Sequence, residues 1–223
     1  YNYTPFSIAS ILNMQYLEGI EGRNQSKKDR KICYDQINKN AVAEFLSRQG
    51  YDIINRSVFQ LENELPEIKS YFFLNGKSHL TSQALLSRIN RDIRFNLVTK
   101  MKLQTEIRRM ANRELVAVET LYNETKQEVT RNSDQPRFIY THLMMPHYPY
   151  FFNSKGEKYP SDIALEGKQV LQKEYIEYLQ YSNGKFLELI DHILANSKKP
   201  PIIILMGDHG FRHFTSPVDR QYH

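Results

Sequence analysis

The 223 residues predict an α/β domain with a largely parallel central sheet flanked by helices. Three observations carry this reading. Segments of helical spacing alternate along the chain with short apolar runs. One run, 202–205, is continuously apolar, as suits the interior of a parallel sheet. The composition, 40% hydrophobic with 25% charged, is that of a packed chain long enough to bury a substantial core.

Taken in order, Thr4-Pro5 opens the first helix. Thr is a usable N-cap and Pro suits the first helical position. Phe6, Ile8, Ala9, Ile11, Leu12 and Leu17 supply its apolar side. Residues 21–31 are polar and charged and predict an exposed loop. Ala41–Arg48 reads as a helix that Gly50 can stop, and 52–59 as the strand after it. Residues 81–130 form a long, charged, helix-rich segment, with Leu85, Leu86, Ile89 and Ile93 near helical spacing. We read it as an insertion or flank within a single domain spanning 1–223. Its Arg and Lys residues fit solvated helix faces, and no nucleic-acid-binding motif accompanies them, so no nucleic-acid partner is expected. Residues 137–145 predict a buried strand running into Pro146-His147-Tyr148-Pro149-Tyr150. A long helix lies within 158–197, with Leu171, Tyr175, Leu179, Phe186, Leu189 and Ile193 along its apolar side. Lys198-Lys199-Pro200-Pro201 breaks it, and 202–205 is the last strand.

The net charge of +5 suits either a plain basic surface or attraction to an anionic substrate or membrane surface. Cys33 is the only cysteine, which excludes an intramolecular disulfide and a structural zinc site built on Cys. No stretch approaches the roughly 20 apolar residues of a membrane span. The sequence starts at Tyr1, already inside a motif, and is expected to be a piece of a longer protein truncated at both ends.

Three segments carry chemistry. The first is Tyr3-Thr4-Pro5-Phe6-Ser7. A hydroxyl at a helix N-terminus sits in a positive field of backbone N–H groups, which favours an alkoxide or a bound phosphate. Thr4 is either a metal-activated nucleophile or only a helix cap. The second is His142 with His147. His142, inside the strand, reads as a core histidine. His147, past the strand end between prolines, is placed to donate to an anionic oxygen. The third is Gly207-Asp208-His209-Gly210, an acid and an imidazole after a buried strand. Open α/β sheets build sites at such strand ends, and oxygen plus imidazole nitrogen suits zinc or manganese. His213 and His223 follow, as further ligands, substrate contacts or surface residues.

Together these segments resemble the sulfatase-like branch of the alkaline phosphatase superfamily. Within it the phosphoethanolamine and phosphoglycerol transferases, including lipoteichoic-acid synthases, are similar in their nucleophile chemistry. Thr4-Pro5-Phe6-Ser7-Ile8 is similar to their nucleophile segment, His147-Tyr148-Pro149-Tyr150 to their later His and Pro-aromatic pair, and Gly207-Asp208-His209-Gly210 to their metal motif. The resemblance implies an alkaline-phosphatase-like fold, with Thr4 as nucleophile and metal ligand. It implies Asp208 and His209 as metal ligands, a divalent cation (zinc or manganese), and His147 on the substrate. His213 is a second candidate for substrate binding, with His223 as its alternative. It also implies an acidic ligand on a first strand upstream of the nucleophile. Only Tyr1, Asn2 and Tyr3 precede Thr4, so that strand and ligand are expected outside this sequence, as are N-terminal membrane helices. The parent is then a bacterial inner-membrane or periplasmic protein, with a phosphate or sulfate ester of a lipid or glycan as substrate.

Sulfatases of the formylglycine type need Cys or Ser in a Cys/Ser-x-Pro-x-Arg context. Thr4 carries a β-methyl and cannot give the aldehyde, Pro5 comes one position early, and Ile8 stands where Arg is wanted. The expected reaction is therefore metal-dependent hydrolysis or transfer of a phosphoryl group through phospho-threonine. Two alternatives remain, a sulfatase-type ester hydrolase and a non-catalytic anion-binding domain with a degenerate site.

Overall fold

Helix α1 (Thr4–Asn13) is wrapped in apolar contacts because Phe6, Ile8, Ala9 and Leu12 fall on more than one of its sides. The structure, a computed structural model, describes residues 3–18, 26–62, 64, 104–160 and 172–211. Their elements are α1, α2 (Lys27–Asn38), α3 (Ala41–Arg48), β1 (Asp52–Arg56), α4 (Gln104–Thr130), β2 (Arg137–Thr141) and α5 (Gln172–Asn196). They divide into two compact units. The first takes Tyr1–Glu67, Asn132–Tyr140 and Ile202–His223, and the second Ile68–Arg131 and Thr141–Pro201.

In the first unit, α1 packs on α2 and α3, and α3 on β1. The end of α1 is a left-handed Met14. The Met14 and Gln15 N–H groups close back onto the Ile11 and Ser10 carbonyls at 3.1 and 3.2 Å. Asn13 then ties three helices together. Its Nδ2 donates to the Ala9 carbonyl at 2.8 Å and the Gln36 carbonyl at 3.1 Å, and its Oδ1 accepts from the Ala41 N–H at 3.1 Å. Asn13→Ala is expected to destabilise this unit by about 3 kcal/mol in a denaturant titration, since each of the three lost bonds is worth about 1 kcal/mol.

The expected loop over 21–31 is corrected in its second part. Ser26 caps α2, its Oγ accepting the Asp29 N–H at 3.1 Å while its own N–H donates to Asp29 Oδ2 at 3.2 Å. This reciprocal cap starts a helix in a charged stretch with little apolar periodicity. Cys33, on α2, is fully buried, and burial followed by the Asp29 charge pushes its thiol up to about 12. Helix α3 matches its expected span. Gly50 follows it at φ +81°, a left-handed conformation that suits glycine.

The strand expected over 52–59 stops at Arg56. A side-chain-bonded bend takes over: Ser57 Oγ donates to Asn55 Oδ1 at 2.6 Å, Asn55 Nδ2 donates to the Phe59 carbonyl at 2.7 Å, and the Phe59 N–H donates to Ser57 Oγ at 3.1 Å. β1 pairs with β2 in a partial parallel sheet that opens where the Asp52 N–H donates to the Pro136 carbonyl at 2.9 Å. β2 spans five residues where nine were expected, because its partner offers only five. Its side chains are half-buried.

The run 202–205 is a second correction. Among the described residues it pairs with no strand, and Ile202 and Ile204 are 93% and 77% exposed. A continuously apolar strand is stable when strands lie on both sides, and here neither side is lined by a described strand.

In the second unit α4 packs on α5. Tyr122 donates to the Lys185 carbonyl at 3.1 Å, and His192 Nε2 donates to the Lys126 carbonyl at 3.2 Å. Tyr178, Ser182 and Leu189 form the buried stripe of α5, with Tyr175 beside it and only partly covered. Tyr178 packs with Leu115, Tyr150 and Phe151 in an aromatic core. Lys185 and Lys126 both bond Glu188, at 2.5 and 2.9 Å, and hold its carboxyl down at about 2. This depressed pKa stabilises the fold above the ordinary carboxylate range and the gain is lost as pH falls from about 4.5 towards 2. Glu188 is 47% exposed, so Glu188→Gln is expected to cost under about 1 kcal/mol at neutral pH and nothing near pH 2, read from thermal melts. Leu85, Leu86, Ile89, Ile93, Leu171, His213 and His223 lie outside the described residues.

Candidate active site

Thr4 is the first helical residue of α1, and the N-cap is Tyr3, whose side chain makes no cap bond. The reading of Thr4 as a mere cap is therefore corrected. With Pro at the first turn, the helix starts here without a hydroxyl spent on its own backbone. The expected cluster of free N–H donors is thinner than the sequence suggests. Pro5 has none, and the Phe6 and Ser7 N–H groups go to the Tyr3 carbonyl at 3.0 and 3.2 Å. The helix dipole remains as the favourable field.

Thr4 is 3% exposed, and its Oγ1 lies 3.3 Å from His209 Nε2. The two residues are 205 positions apart in the chain. His209 Nδ1 is 2.8 Å from the Gly210 carbonyl, which can only accept, so Nδ1 carries the hydrogen. In the neutral ring Nε2 then presents its lone pair, and the Thr4 hydroxyl donates to it. Asp208 is held alongside. Its Oδ1 accepts the His209 N–H at 3.0 Å, and its Oδ2 lies 3.7 Å from Nε2. The chain thus brings a buried hydroxyl, an imidazole nitrogen and a carboxylate to one place within the first unit.

That donor set can be tested against the expected cation. Tetrahedral zinc with bonds of about 2.0–2.1 Å sets neighbouring ligand atoms about 3.4 Å apart. The two spacings at Nε2, 3.3 and 3.7 Å, suit such an edge. Catalytic zinc sites use three protein ligands and leave one position open. Two edges of a Thr4, Asp208 and His209 donor set, those that meet at Nε2, are thus compatible with such a site. Among the described residues no group of three or more His, Cys, Asp or Glu converges, so the hydroxyl is needed to complete the set.

One residue of this place escaped the sequence reading. Tyr140, near the end of β2, lies within electrostatic reach of Asp208; burial first, and the Asp208 charge second, push its phenol pKa up. The ring is half-buried while its hydroxyl oxygen is closed to solvent and has no hydrogen-bond partner among the described residues. The signal available was a lone hydroxyl-bearing ring after Phe138 and Ile139 in an apolar strand.

His142 sits just past the end of β2, half-buried, and not inside the strand. His147 belongs to the second unit. Its Nδ1 bonds the Tyr148 carbonyl, so Nδ1 is the protonated nitrogen. Donation from Nε2 to an anion then takes the imidazolium form. The segment continues into a turn that the sequence reading left out, where Asn153 Oδ1 accepts the Lys155 and Glu157 N–H groups at 3.0 and 2.9 Å. His213 lies outside the described residues.

Comparison with known proteins adds one finding. The family model described as Sulfatase matches residues 23–223, a span that contains His147, Asp208 and His209 and begins after Thr4. No curated protein and no solved structure matches. The mixed helices and partial parallel sheet fit the alkaline-phosphatase-like fold. By that match over most of its length, the chain belongs to the sulfatase family.

Proposed function

We propose that this member of a family of ester hydrolases and transferases acts on phosphate esters, with Thr4 as nucleophile. The observation that carries the reading is the buried Thr4 hydroxyl set 3.3 Å from the Nε2 lone pair of His209. A hydroxyl in that setting is oriented and ready to lose its proton. Thr4 cannot become formylglycine, which weighs against the usual sulfate-ester route.

Enzymes of this family generally use a divalent metal. Thr4, Asp208 and His209 would hold it, and when bound it supplies charge that lowers the hydroxyl pKa and stabilises the transferring group. The chain's own residues do the rest. Without a cation, His209 Nε2 holds the Thr4 oxygen in place; with that lone pair given to the cation, the Thr4 proton would go to solvent and the oxygen attack in line with the leaving oxygen. The bond from Oγ1 to phosphorus forms as the bond from phosphorus to the leaving oxygen breaks, and that oxygen departs with the electron pair. Water or an acceptor hydroxyl then attacks the phospho-threonine and restores Thr4. His147 keeps the role its motif suggests, as a cationic donor to a substrate oxygen. By resemblance to the lipid-linked transferases, the ester is a phospholipid head group or glycan phosphate, and the parent is anchored at a bacterial membrane.

The purified protein, supplied with zinc or manganese, is assayed on aryl phosphate mono- and diesters and on an aryl sulfate. Phosphoester turnover is expected, with an acid-quenched phosphoryl adduct on the peptide bearing Thr4. Cleavage of the sulfate alone, or an adduct elsewhere, overturns the reading. The second reading, an anion-binding domain without catalysis, has one observation in its favour: among the described residues no three of His, Cys, Asp or Glu converge to hold a metal ion.

A further inference from the structure

Helix α1 ends on a residue that its backbone does not favour. Met14 stands at φ 53°, in the left-handed region where helices ordinarily place glycine. A side chain with a Cβ is strained there, and this one gains little packing in return, being 76% exposed. Tyr16, two residues on, is 86% exposed, while Leu17 beside it is buried. The chain thus holds a methionine and a tyrosine out into water at the end of α1. Asn13 joins this tip to the end of α2 through the Gln36 carbonyl at 3.1 Å. Along α2 and its last cap residue, the exposed side chains are Lys28, Lys31, Ile32, Asp35 and Lys39. They recur at the three- and four-residue steps that line one face of a helix. Three ammonium groups stand there against one carboxylate, and none of the three forms an ion pair among the described residues.

We propose that the α1 tip and the lysine face of α2 seat this unit on an anionic lipid bilayer. The positive face complements the lipid phosphates, and each lysine near such a surface strengthens binding about 5-fold. Met14 and Tyr16 enter the interfacial layer, where the apolar body and the polar end of a tyrosine are both satisfied. A protein partner needs a shaped patch that packs densely and sheds its charges at the centre. A row of lysines beside two protruding side chains suits a fluid, charged surface instead. Thr4 lies at the other end of α1, about 15 Å away by helix rise, so contact at the tip leaves that end uncovered. The binding is independent of any cation at Thr4, Asp208 and His209.

The experiment is co-sedimentation of the purified protein with vesicles of mixed phosphatidylcholine and phosphatidylglycerol, and with vesicles of phosphatidylcholine alone. Wild type is expected to bind the mixed vesicles, to release them as salt rises, and to bind phosphatidylcholine far more weakly. The triple variant Lys28→Gln, Lys31→Gln, Lys39→Gln should bind the mixed vesicles about 100-fold less tightly. Met14→Gly should also bind less tightly, with a melting temperature equal to or above that of wild type, since glycine suits φ 53°. Wild type that ignores the mixed vesicles overturns the proposal, and so does a triple variant that binds them like wild type. A lowered melting temperature in Met14→Gly makes Met14 a structural residue and overturns it as well. Sedimentation velocity on wild type and Tyr16→Ser supplies the last arm. Self-association that is lost in Tyr16→Ser, without vesicle binding by wild type, makes the tip an interface between copies and overturns the lipid assignment.

Discussion

Replacing Thr4 with alanine is expected to cut ester turnover by at least about 10³-fold and to abolish covalent capture, while the chain keeps its fold. The side chain is buried and its hydroxyl bonds His209. Its removal costs about 1 kcal/mol of stability, too little to unfold the unit. Thr4→Ser is the informative companion. It keeps an oxygen one bond from Cβ and loses the methyl that limits χ1. Turnover should fall modestly, by about 10-fold, because the hydroxyl samples more directions. Capture should move to the new serine. Full activity in Thr4→Ala would remove Thr4 from the chemistry altogether, and loss of the fold would be visible by circular dichroism.

The second large effect is expected at Asp208. Asparagine matches the shape of aspartate, and its Oδ1 can still accept the His209 N–H, so the local turn survives. It lacks the negative charge that a divalent cation needs. Asp208→Asn should weaken zinc binding by more than the roughly 100-fold that an outer partner costs. Elemental analysis after dialysis, together with calorimetry, reads this directly. Stoichiometric zinc in wild type that is lost in Asp208→Asn supports the enzyme. Zinc content indifferent to Asp208 counts against it, and a wild type that takes up no metal near neutral pH favours the anion-binding reading.

Much of the first unit is legible from local rules. Thr4-Pro5 marks the start of α1, and Ala41–Arg48 with Gly50 marks α3 and its stop, because proline and glycine act through backbone geometry alone. Helix α2 was hidden for the opposite reason. Its polar residues carry little periodicity, and its start depends on the Ser26–Asp29 cap. The run 202–205 states what that segment prefers to lie against, and not what the described chain provides there. The shortened β2 shows the same limit, since a strand's length is decided by its neighbour.

The candidate site divides in the same way. Asp208 and His209 could be picked out by type and adjacency. Their meeting with Thr4 across 205 residues could not be read from spacing, and only the ordered likeness to a family suggested it. Tyr140 was invisible because its distinction is tertiary: a hydroxyl closed to solvent is a property of the fold.

The group that sets the tautomer of His209 is the carbonyl of Gly210, and a carbonyl belongs to the main chain. Where a side chain performs this task, one base change in the gene can abolish it. Here every residue type would supply the same acceptor, provided the chain follows the same path. The acid–base identity of His209 is thus insulated from point mutation at position 210, and what selection can act on there is backbone conformation. Swapping Gly210 tests how freely the chain can follow that path, and leaves the chemistry of the acceptor untouched.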